Sequence, residues 1–458
     1  MNIENANVIV LGAGRSGVSA VRFLLDKNCS VTLYDGSPAK KPVYDELAAA
    51  GCVIAAGERP EVKAGSYDFA VISPGIPLSD PLAAALKEAG IPVWGELELA
   101  SRFITAPIIG ITGTNGKTTT TTLIGEILKN DGFNVFVGGN IGVPLLDSVG
   151  GDYDYYVVEM SSFQLETIET LDAEVAVYLN LTPDHLDRHG DMAGYLDAKA
   201  RLTEKQSPER FVVLNYDDEA IRSLHERTAA TPFFFSRKSQ LYFGATVRRN
   251  RERTIVFRLP DDDPWGRIVI NADEIRLPGP HNLENALAAI TACRLLNVPA
   301  NVIADTLRTF TGVEHRLEDV LTLKGVRYVN DSKATNPDSV YKALDSFDDT
   351  PIVLIAGGRN KGNSFDVLGE YIREHCKELV LIGEAAADIA AGAEKAGFEK
   401  DRIHFADDMA DAVARSAALA EDGDIVLLSP ANASFDQFSS YEHRGEVFKD
   451  LVRALAKA

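Results

Sequence analysis

Short apolar runs alternate with helical patterns along the first 95 or so residues. The runs NVIVLG, SVTLYD and YDFAVIS are each followed by a segment in which apolar residues recur at helical spacing. Strands that alternate with helices in this way build a parallel, doubly wound sheet. The pattern therefore predicts a Rossmann-like domain at the N-terminus.

The same alternation begins again at PIIGITGT and returns in the last third of the chain. Between about Glu209 and Gly279, runs such as FVVLNY and TIVFRL predict a β-rich addition instead. A chain of 458 residues is too long for one core and fits about three domains. The predicted fold class is α/β, with an N-terminal Rossmann-like domain over residues 1–96, a central domain that carries the β-rich addition over 97–311, and a C-terminal Rossmann-like domain over 312–458.

Composition and charge limit the kinds of partner that the protein can bind. With 45% hydrophobic and 25% charged residues the chain has the make-up of a globular protein. Its net charge of −21 argues against a nucleic-acid partner, because a phosphate backbone would be repelled by most of the surface. A phosphorylated small molecule must then be held by local donors: loop N–H groups, a few Lys or Arg side chains and a divalent metal.

Location and redox state follow from what the sequence lacks. The four scattered cysteines form no C-x-x-C pair, which predicts reduced and mostly buried thiols. No apolar run reaches the roughly 18 residues that a bilayer span needs, and the N-terminal residues do not resemble a signal peptide. The expectation is a cytoplasmic monomer without membrane insertion.

The stretch GAGRSG places Gly12, Gly14 and Gly17 between a predicted strand and a predicted helix. Glycines at this spacing allow a tight turn, a close approach to a phosphate and close helix–strand packing. Asp35 ends the next strand, where a carboxylate that binds a ribose would lie. The loop indicates a ligand with a diphosphate and a ribose, which fits a dinucleotide and a UDP-linked molecule equally well.

A second phosphate loop is expected at GITGTNGKT, residues 110–118, after another apolar strand. Its Gly and small polar residues expose N–H groups to an anion, Lys117 adds charge for the β- and γ-phosphates, and the Thr118 hydroxyl can bind Mg²⁺. Glu159 ends a neighbouring strand, where a metal-binding carboxylate belongs. The central domain is therefore predicted to be a P-loop ATPase-type sheet, although the usual loop would have glycine in place of Ile111.

The segment NLTPDHLDRHG offers His185 and His189, four residues apart. A zinc pair is disfavoured, because the Glu of an H-E-x-x-H motif is missing and Pro183 suggests a loop. His185, at the carboxyl end of a strand, is the better functional candidate. The sequence pattern alone makes Lys199 a solvated helix lysine.

Three loops in the last third follow successive apolar strands. NDSKATN carries Asp331, Lys333 and Thr335; AGGRNKGNSF carries Lys361; and LSPANASFDQF carries Ser434. The carboxyl ends of parallel strands meet at one sheet edge, so these cations and hydroxyls are expected to converge there. Such a group suits a substrate with carboxylates.

Taken together, these stretches resemble the Mur ligases over essentially the whole chain. In that family the phosphate loop reads G-x-x-G-T-N-G-K-[ST], which GITGTNGKT matches, so that Ile111 is not a defect. EMSSFQLE, SPGIP, GGNIG, NDSKATN and LSPANASFDQF carry the finer likeness. The resemblance implies a ligase that phosphorylates UDP-N-acetylmuramoyl-L-alanine with ATP and joins D-glutamate to the acyl phosphate, in cytoplasmic peptidoglycan precursor synthesis.

The resemblance also implies a role for individual residues. The implied catalytic residues are Lys117, Glu159, His185 and Lys199. The implied ATP-binding residues are Gly113, Thr114, Asn115, Gly116, Lys117, Thr118, Thr119, Asn282, Asn285, Arg316 and Asp331. The implied UDP-substrate residues are Gly14, Arg15, Ser16, Asp35, Ser37, Gly75, Asn140, Ser161 and Gln164. The implied D-glutamate residues are Lys333, Thr335, Lys361, Ser434 and Phe435.

Two Mg²⁺ ions are implied, one near Thr118 and Glu159 and the other near His185 and Lys199. Because an ammonium cannot bind Mg²⁺, the resemblance implies a CO₂-derived carbamate on Lys199. It leaves the role of Tyr441 open.

Three alternatives remain open from the sequence. A nicotinamide-dependent oxidoreductase would explain Gly12 to Gly17 and Asp35, but not the second phosphate loop or the last domain. A GTP-dependent switch protein would need an N-K-x-D motif, and the nearest match, residues 360–363, ends in Asn. A Mur-type ligase for another amino acid is the third.

Overall fold

The structure is a computed structural model that describes residues 2–37, 42–249, 252–260, 265–347, 350–360 and 363–456. The chain forms two compact units. The first comprises Met1–Glu274 with Glu284–Arg308, and the second comprises Ile275–Leu283 with Thr309–Ala458. The boundaries near residues 96 and 311 stay a prediction.

The first unit begins with a parallel sheet. Its strands are β1 (Asn7–Leu11), β2 (Ser30–Asp35), β3 (Val53–Ala56), β4 (Phe69–Ile72) and β5 (Val93–Gly95). Its helices are α1 (Arg15–Asp26), α2 (Pro42–Ala49), α3 (Pro81–Glu88) and α4 (Glu96–Ser101). The strand order is β3-β2-β1-β4-β5, so the chain changes direction across the sheet between β1 and β4. Ligands of open α/β sheets bind at the carboxyl ends of the strands at such a point.

A second sheet follows in the same unit. Its strands are β6 (Ile108–Thr112), β7 (Val135–Gly139), β8 (Tyr155–Glu159), β9 (Val175–Tyr178), β10 (Phe211–Asn215), β11 (Thr231–Ser236), β12 (Gly244–Arg249), β13 (Arg253–Arg258) and β14 (Arg267–Asn271). The strand order among the described residues is β14-β13-β12-β11-β10-β9-β6-β8-β7. The β-rich addition is a continuation of this sheet: β10, β11 and β12 pair in parallel, and β13 and β14 extend the edge in antiparallel fashion.

The helices that accompany this sheet are α5 (Lys117–Asn130), α6 (Ser162–Leu165), α7 (Leu186–His189), α8 (Met192–Glu204), α9 (Glu219–Ser223), α10 (Pro280–Leu295) and α11 (Ala300–Thr309), and 3₁₀ turns lie at Leu145–Ser148, Leu224–Glu226 and Ala272–Glu274. α5 buries Leu123, Ile124, Ile127 and Leu128, at helical spacing. The fully buried strand β6 ends at the loop that opens this helix. Packing of α5 therefore fixes where that loop lies.

The second unit contains a third sheet. Its strands are β15 (Glu318–Leu323), β16 (Val326–Asn330), β17 (Ile352–Gly357), β18 (Cys376–Ile382), β19 (Ile403–Phe405) and β20 (Ile425–Ala431). Its helices are α12 (Pro337–Leu344), α13 (Asp366–His375), α14 (Ala386–Lys395), α15 (Met409–Leu419) and α16 (Tyr441–Leu455), with 3₁₀ turns at Asp345–Phe347 and Lys400–Arg402. β16, β20 and β17 are parallel neighbours, which brings the three predicted loops to one edge.

These sheets confirm the predicted α/β fold class. Apolar residues that line both faces of the parallel strands explain the unbroken hydrophobic runs of the sequence. The four cysteines are buried free thiols, as predicted. Within the described ranges, each helix is too short or too polar to cross a bilayer.

Candidate active site

A cavity of about 550 Å³ lies at the carboxyl ends of β1 and β4. Eight of the nine predicted UDP-substrate residues line it: Gly14, Arg15, Ser16, Asp35, Ser37, Gly75, Asn140 and Gln164. Ser161 does not line the cavity. Its hydroxyl donates a 2.9 Å hydrogen bond to Oε1 of Gln164, so it orients a residue that does.

Gly14 and Gly17 of the first loop have different structural roles. A Cβ on Gly17 would lie 1.9 Å from the carbonyl oxygen of Gly12, so only glycine lets α1 pack this closely. A Cβ on Gly14 would meet no atom within 4 Å, which leaves that side of the loop open to a ligand. Asp35 accepts hydrogen bonds from the backbone N–H groups of Ala13 at 3.1 Å and Ser37 at 3.0 Å. The carboxylate therefore holds the two loops that line the cavity.

Sequence reasoning missed several residues of this cavity. Ser73 donates a 3.1 Å hydrogen bond to the Gly12 carbonyl and joins the loops after β1 and β4. Tyr34, Ile76 and Asp80 also line the cavity. Ser73 and Ile76 belong to the SPGIP motif, which could have identified them. Nothing in the sequence singled out Asp80.

The second phosphate loop has the backbone that its glycines predict. Gly113 and Gly116 have φ angles of +148° and +85°. The φ of Gly116 is one that other residues rarely adopt, and a Cβ there would also displace Oδ1 of Asn285, at 2.3 Å. Nζ of Lys117 donates to the carbonyl oxygens of Gly113 at 3.0 Å and Thr114 at 2.7 Å. The loop carbonyls thus hold the ammonium over the loop.

Asn180, which the sequence did not single out, supports this loop. Its carbonyl accepts from the Thr114 N–H at 3.0 Å, and its Oδ1 accepts from the Asn115 N–H at 2.9 Å. Thr119 is buried in the first turn of α5. The strand-end position of Asn180 after β9 was a signal that could have identified it.

Glu159 joins the phosphate loop to the cavity. The Thr118 hydroxyl donates to its Oε2 at 2.8 Å, and Nδ2 of Asn140 donates to its Oε1 at 2.7 Å. The pairing of β6 with β8 places Ile111 opposite Glu159 and so brings the loop and the carboxylate together. Because Glu159 is only 2% exposed, its oxygens face these donors rather than bulk water.

Lys199 is buried, contrary to the solvated helix lysine that the pattern alone predicts. It is 1% exposed, and its Nζ donates 2.9 Å to the Gly113 carbonyl and lies 4.5 Å from the centre of the Tyr195 ring. Burial lowers the pKa of Lys199 well below its ordinary value, and the neighbouring ammonium of Lys117 acts in the same direction. The charged ammonium is therefore less favoured here than at an exposed lysine.

The two histidines of NLTPDHLDRHG share the Phe163 ring and differ in their polar partners. His185 has a φ of +54° at the start of α7, and its Nε2 lies 3.6 Å from Oδ2 of Asp184. The His185 ring packs edge-on against Phe163, with centroids 4.7 Å apart. Nε2 of His189 is 2.9 Å from the Ser162 hydroxyl. The His189 ring is thus held by the EMSSFQLE segment.

These side chains fit Mg²⁺ in part. The Thr118 hydroxyl and the Glu159 carboxylate are oxygen donors of the kind that Mg²⁺ prefers, and they already lie together. Lys199 can bind Mg²⁺ only if its amine carries an anionic group. Among the described residues, a compact set of metal-binding atoms occurs at Glu314, His315 and Glu446, where the Lys449 ammonium already pairs with both carboxylates.

Asp331, in the second unit, is fully buried at the end of β16. The Ser429 hydroxyl donates to its Oδ2 at 2.7 Å, the Leu317 N–H donates to Oδ1 at 3.3 Å, and Nε of Arg316 lies 3.9 Å from Oδ1. Burial raises the pKa of Asp331 to about 6, and Arg316 partly opposes this. The structure thus brings the predicted residues Arg316 and Asp331 together.

Four of the five predicted D-glutamate residues lie on loops of the third sheet within the described ranges. Nζ of Lys333 donates 3.2 Å to the hydroxyl of Tyr441, the residue whose role the sequence left open. The Thr335 N–H donates 2.9 Å to the Lys333 carbonyl. Ser434 is buried, whereas Phe435 is 61% exposed. Lys361 lies outside the described residues.

A buried arginine that sequence reasoning missed joins two of these loops. Arg444 on α16 donates to the Ser332 hydroxyl at 3.0 Å, the Ser332 carbonyl at 2.8 Å and the Asn432 carbonyl at 3.1 Å. Its position inside a helix gave no indication of this contact. Arg444 therefore holds the loops after β16 and β20 together.

Two predicted ATP-binding asparagines lie on α10. Asn282 belongs to the second unit and donates 2.7 Å to the Pro278 carbonyl. Asn285 belongs to the first unit, beside Gly116. Both side chains are buried.

Sequence comparison places the chain among known domains. Residues 6–95 match the Mur ligase MurD-like N-terminal domain, residues 111–293 the Mur ligase middle domain, and residues 315–432 the Mur ligase glutamate ligase domain. A protein from Pelotomaculum thermopropionicum named UDP-N-acetylmuramoylalanine–D-glutamate ligase is 50% identical over 98% of each chain. One of the same name from Clostridioides difficile is 42% identical over 99% of this chain and 100% of its own.

Solved structures share the fold at low identity. The UDP-N-acetylmuramate–alanine ligase MurC from Thermotoga maritima has a TM-score of 0.61 at 17% identity, over 99% of this chain and 100% of its own. MurF from Acinetobacter baumannii has a TM-score of 0.62 at 17% identity, over 98% of this chain and 91% of its own. The predicted resemblance is confirmed: the chain belongs to the Mur ligase family.

Proposed function

We propose that this protein joins D-glutamate to UDP-N-acetylmuramoyl-L-alanine with hydrolysis of ATP to ADP and phosphate. The observation that carries the proposal is the hydrogen-bonded series Asn140–Glu159–Thr118, which connects the 550 Å³ cavity to the phosphate loop. A UDP-linked substrate and ATP then meet at one carboxylate. The two relatives at 50% and 42% identity bear the name of this activity.

The reaction has two steps. A carboxylate oxygen of the muramoyl-alanine attacks the γ-phosphorus of ATP, the bond to the bridging oxygen of ADP breaks, and an acyl phosphate forms. The amine of D-glutamate then attacks the acyl carbon, phosphate leaves and the nitrogen loses a proton. The protein forms no covalent bond to the substrates in these steps. Its main task is to stabilise the charge that develops on the oxygens of the transferring phosphate and of the acyl group.

In this mechanism Lys117 and the phosphate loop bind the transferring group. The Lys117 ammonium, which contacts the Gly113 and Thr114 carbonyls, would turn to the β- and γ-phosphates. Thr118 and Glu159 would hold one Mg²⁺, and His185 and Lys199 a second. When bound, Mg²⁺ neutralises charge on the phosphate oxygens and orients them.

A carbamate on Lys199 completes the proposed second metal position. The neutral amine that burial favours adds to CO₂, a nitrogen–carbon bond forms and one proton leaves. The product is an anion with two oxygen donors, which suits Mg²⁺. Its negative charge would be attracted by the Lys117 ammonium, which disfavours a cation on Lys199.

The remaining residues are proposed to bind the three substrates. The residues that line the cavity, together with Ser161, would bind the UDP substrate. The phosphate loop with Asn282, Asn285, Arg316 and Asp331 would bind ATP. Lys333, Thr335, Lys361, Ser434 and Phe435 would bind D-glutamate, whose carboxylates suit the lysines. We further propose three domains bounded near residues 96 and 311, and a monomer that acts in the cytoplasm.

Consumption of ATP tests the class of enzyme. We expect phosphate release only when a UDP-muramoyl substrate and an amino acid are both present, and no release from GTP. The UDP substrate should raise the thermal unfolding midpoint, and NAD should not. Protection by NAD without protection by the UDP substrate would instead favour the oxidoreductase.

A further inference from the structure

The one-turn helix α7 carries His185 at its start, and only a few side chains hold it in place. Leu186 is only partly buried against the core, whereas the His189 side chain is 4% exposed and contacts the Ser162 hydroxyl and the Tyr195 ring. Both the Arg188 N–H and the His189 N–H donate to the His185 carbonyl, at 3.0 and 3.1 Å. The position of His185 therefore depends on what holds the other end of this turn.

Two neighbouring side chains hold that end, His189 and Arg188, and Arg188 makes the contacts that reach the cavity wall. Its Nε and Nη2 donate to the two carboxylate oxygens of Glu166, at 3.2 and 2.6 Å. The same Nη2 lies 3.2 Å from the Ile76 carbonyl oxygen, which it also contacts as a donor. Its guanidinium carbon lies 5.0 Å from the centre of the Phe163 ring, the ring on which His185 packs.

The environment makes these contacts stronger than those of a surface ion pair. The side chains of Arg188 and Glu166 are 15% and 16% exposed, so solvent screens them weakly. The two N–H···O bonds from the guanidinium to one carboxylate fix the orientation of the Arg188 side chain as well as its distance from Glu166. Lysine cannot reproduce it, because its ammonium is a single point of charge.

Arg188 thereby connects two places that the mechanism uses. Ile76 lines the cavity proposed for the UDP substrate, and the EMSSFQLE segment, which includes Glu166, also supplies Gln164 to that cavity. The other end of the connection is the backbone of His185. Arg188 is therefore a connection between the cavity wall and the turn of His185, beside the contact of His189 with Ser162.

We propose that Arg188 is a positioning residue: by binding Glu166 and the Ile76 carbonyl it fixes the helix that presents His185 against the wall of the UDP-substrate cavity. This inference rests on the proposed function, since it takes His185 as a residue of the reaction. Its consequence is that the UDP substrate and a correctly placed His185 stabilise each other.

The variant Arg188→Lys tests the proposal, since it keeps the charge and removes the fork. In the substrate-free protein, amide hydrogen exchange at Arg188, His189 and Gly190 should accelerate about tenfold, because the turn loses one of the side-chain contacts that hold it. Calorimetry without ATP should show about tenfold weaker binding of UDP-N-acetylmuramoyl-L-alanine. The Mg²⁺ concentration for half-maximal activity should rise, while the KM for D-glutamate should stay near that of the wild type.

Arg210→Lys is the matched control. Arg210 also pairs with two carboxylates of the first unit, Asp172 and Glu174, and is about one-third exposed. The Arg210→Lys variant should leave the amide exchange of α7, the binding of the UDP substrate, the Mg²⁺ dependence and the KM for D-glutamate near the wild-type values. In addition, Arg188→Lys combined with Glu166→Gln should be little worse than Arg188→Lys alone, because both remove the same contact.

The proposal is overturned if Arg188→Lys matches Arg210→Lys in amide exchange and in Mg²⁺ dependence. It is equally overturned if the KM for D-glutamate changes as much as the Mg²⁺ dependence, since that indicates general loss of structure. Failure of the proposed function is a separate result: the wild-type protein would then not turn over the UDP substrate, whatever the exchange of the α7 amides.

Discussion

The Thr118 hydroxyl donates a 2.8 Å hydrogen bond to Oε2 of Glu159. Thr118 lies in the first turn of the helix after the phosphate loop, and Glu159 ends a neighbouring strand 41 residues later. Their contact assembles an oxygen-rich pair at the point where the proposed transfer of phosphate takes place.

Thr118→Val removes the hydroxyl and keeps the shape of the side chain. We expect turnover to fall by about 100-fold or more, because one oxygen donor near the transferring group is lost. Thr118→Ser should retain most of the activity. The measurement is the rate of ADP formation at saturating substrates.

Thr121→Val on the same helix is the control. Its hydroxyl is buried and has no hydrogen-bond partner within the described part of the chain, so activity should stay near the wild-type value. Equal losses in both valine variants would show that the helix, rather than the Thr118 hydroxyl, is responsible.

Lys199→Ala tests the proposed carbamate. Activity should be lost and then partly restored by a short-chain carboxylic acid, which supplies the missing anion. Removal of CO₂ and bicarbonate should also lower the wild-type rate, and added bicarbonate should restore it. Lys205→Ala, at an exposed position after the same helix, should respond to neither treatment. Full activity of the untreated Lys199→Ala variant would refute the carbamate.

The two glycines of the first loop should respond differently to alanine. Gly17→Ala places Cβ 1.9 Å from the Gly12 carbonyl and should lower the free energy of unfolding by ~1–3 kcal/mol. Gly14→Ala meets no atom within 4 Å, so the thermal midpoint should stay unchanged while binding of the UDP substrate weakens. Calorimetry and thermal unfolding distinguish the two effects. Normal substrate binding by Gly14→Ala would place the UDP substrate elsewhere.

Glu96 predicts a pH dependence of stability. It is buried, its Oε1 accepts from the Leu146 N–H at 2.7 Å, and its Oε2 has no partner among the described residues. Burial raises the pKa of Glu96 from 4.5 to about 7. The folded protein therefore binds this proton more tightly than the unfolded chain does, and stability falls as the pH rises from about 4.5 to about 7.

Glu96→Gln removes the loss of folding stability that ionisation of Glu96 causes. At pH 8 this loss amounts to at most about 3 kcal/mol. We expect the variant to unfold at a higher temperature than the wild type at pH 8 and at a similar one at pH 4.5. Glu98→Gln should instead destabilise, because Glu98 accepts hydrogen bonds from Glu169, Thr170 and Leu171 and pairs with Arg102. A Glu96→Gln variant that is less stable at pH 8 would contradict the account.

The sequence predicted those features of the site that depend on local rules. Gly17 has no room for a side chain and Gly116 has a φ of +85°, and such glycine positions follow from loop spacing alone. The edge on which Lys333, Thr335 and Ser434 lie follows from the rule that parallel strands end together. The α/β fold class follows from the alternation of strands and helices.

Other features depend on contacts that no local pattern reports. Arg444 binds loops about 12 and 112 residues away, and Arg188 binds a carbonyl 112 residues away. Lys199 resembles an exposed helix residue until the packing of α8 against β6 and β9 buries it. The β-rich addition was predicted, but its continuity with the central sheet depends on pairing between distant strands.

The central claim is that D-glutamate is the amino acid added. The most direct measurement is phosphate release from ATP with UDP-N-acetylmuramoyl-L-alanine as acceptor and each candidate amino acid in turn, with the product mass as confirmation. We predict turnover with D-glutamate and none with L-glutamate, L-alanine, glycine or diaminopimelate. Turnover with one of these and none with D-glutamate would contradict the claim.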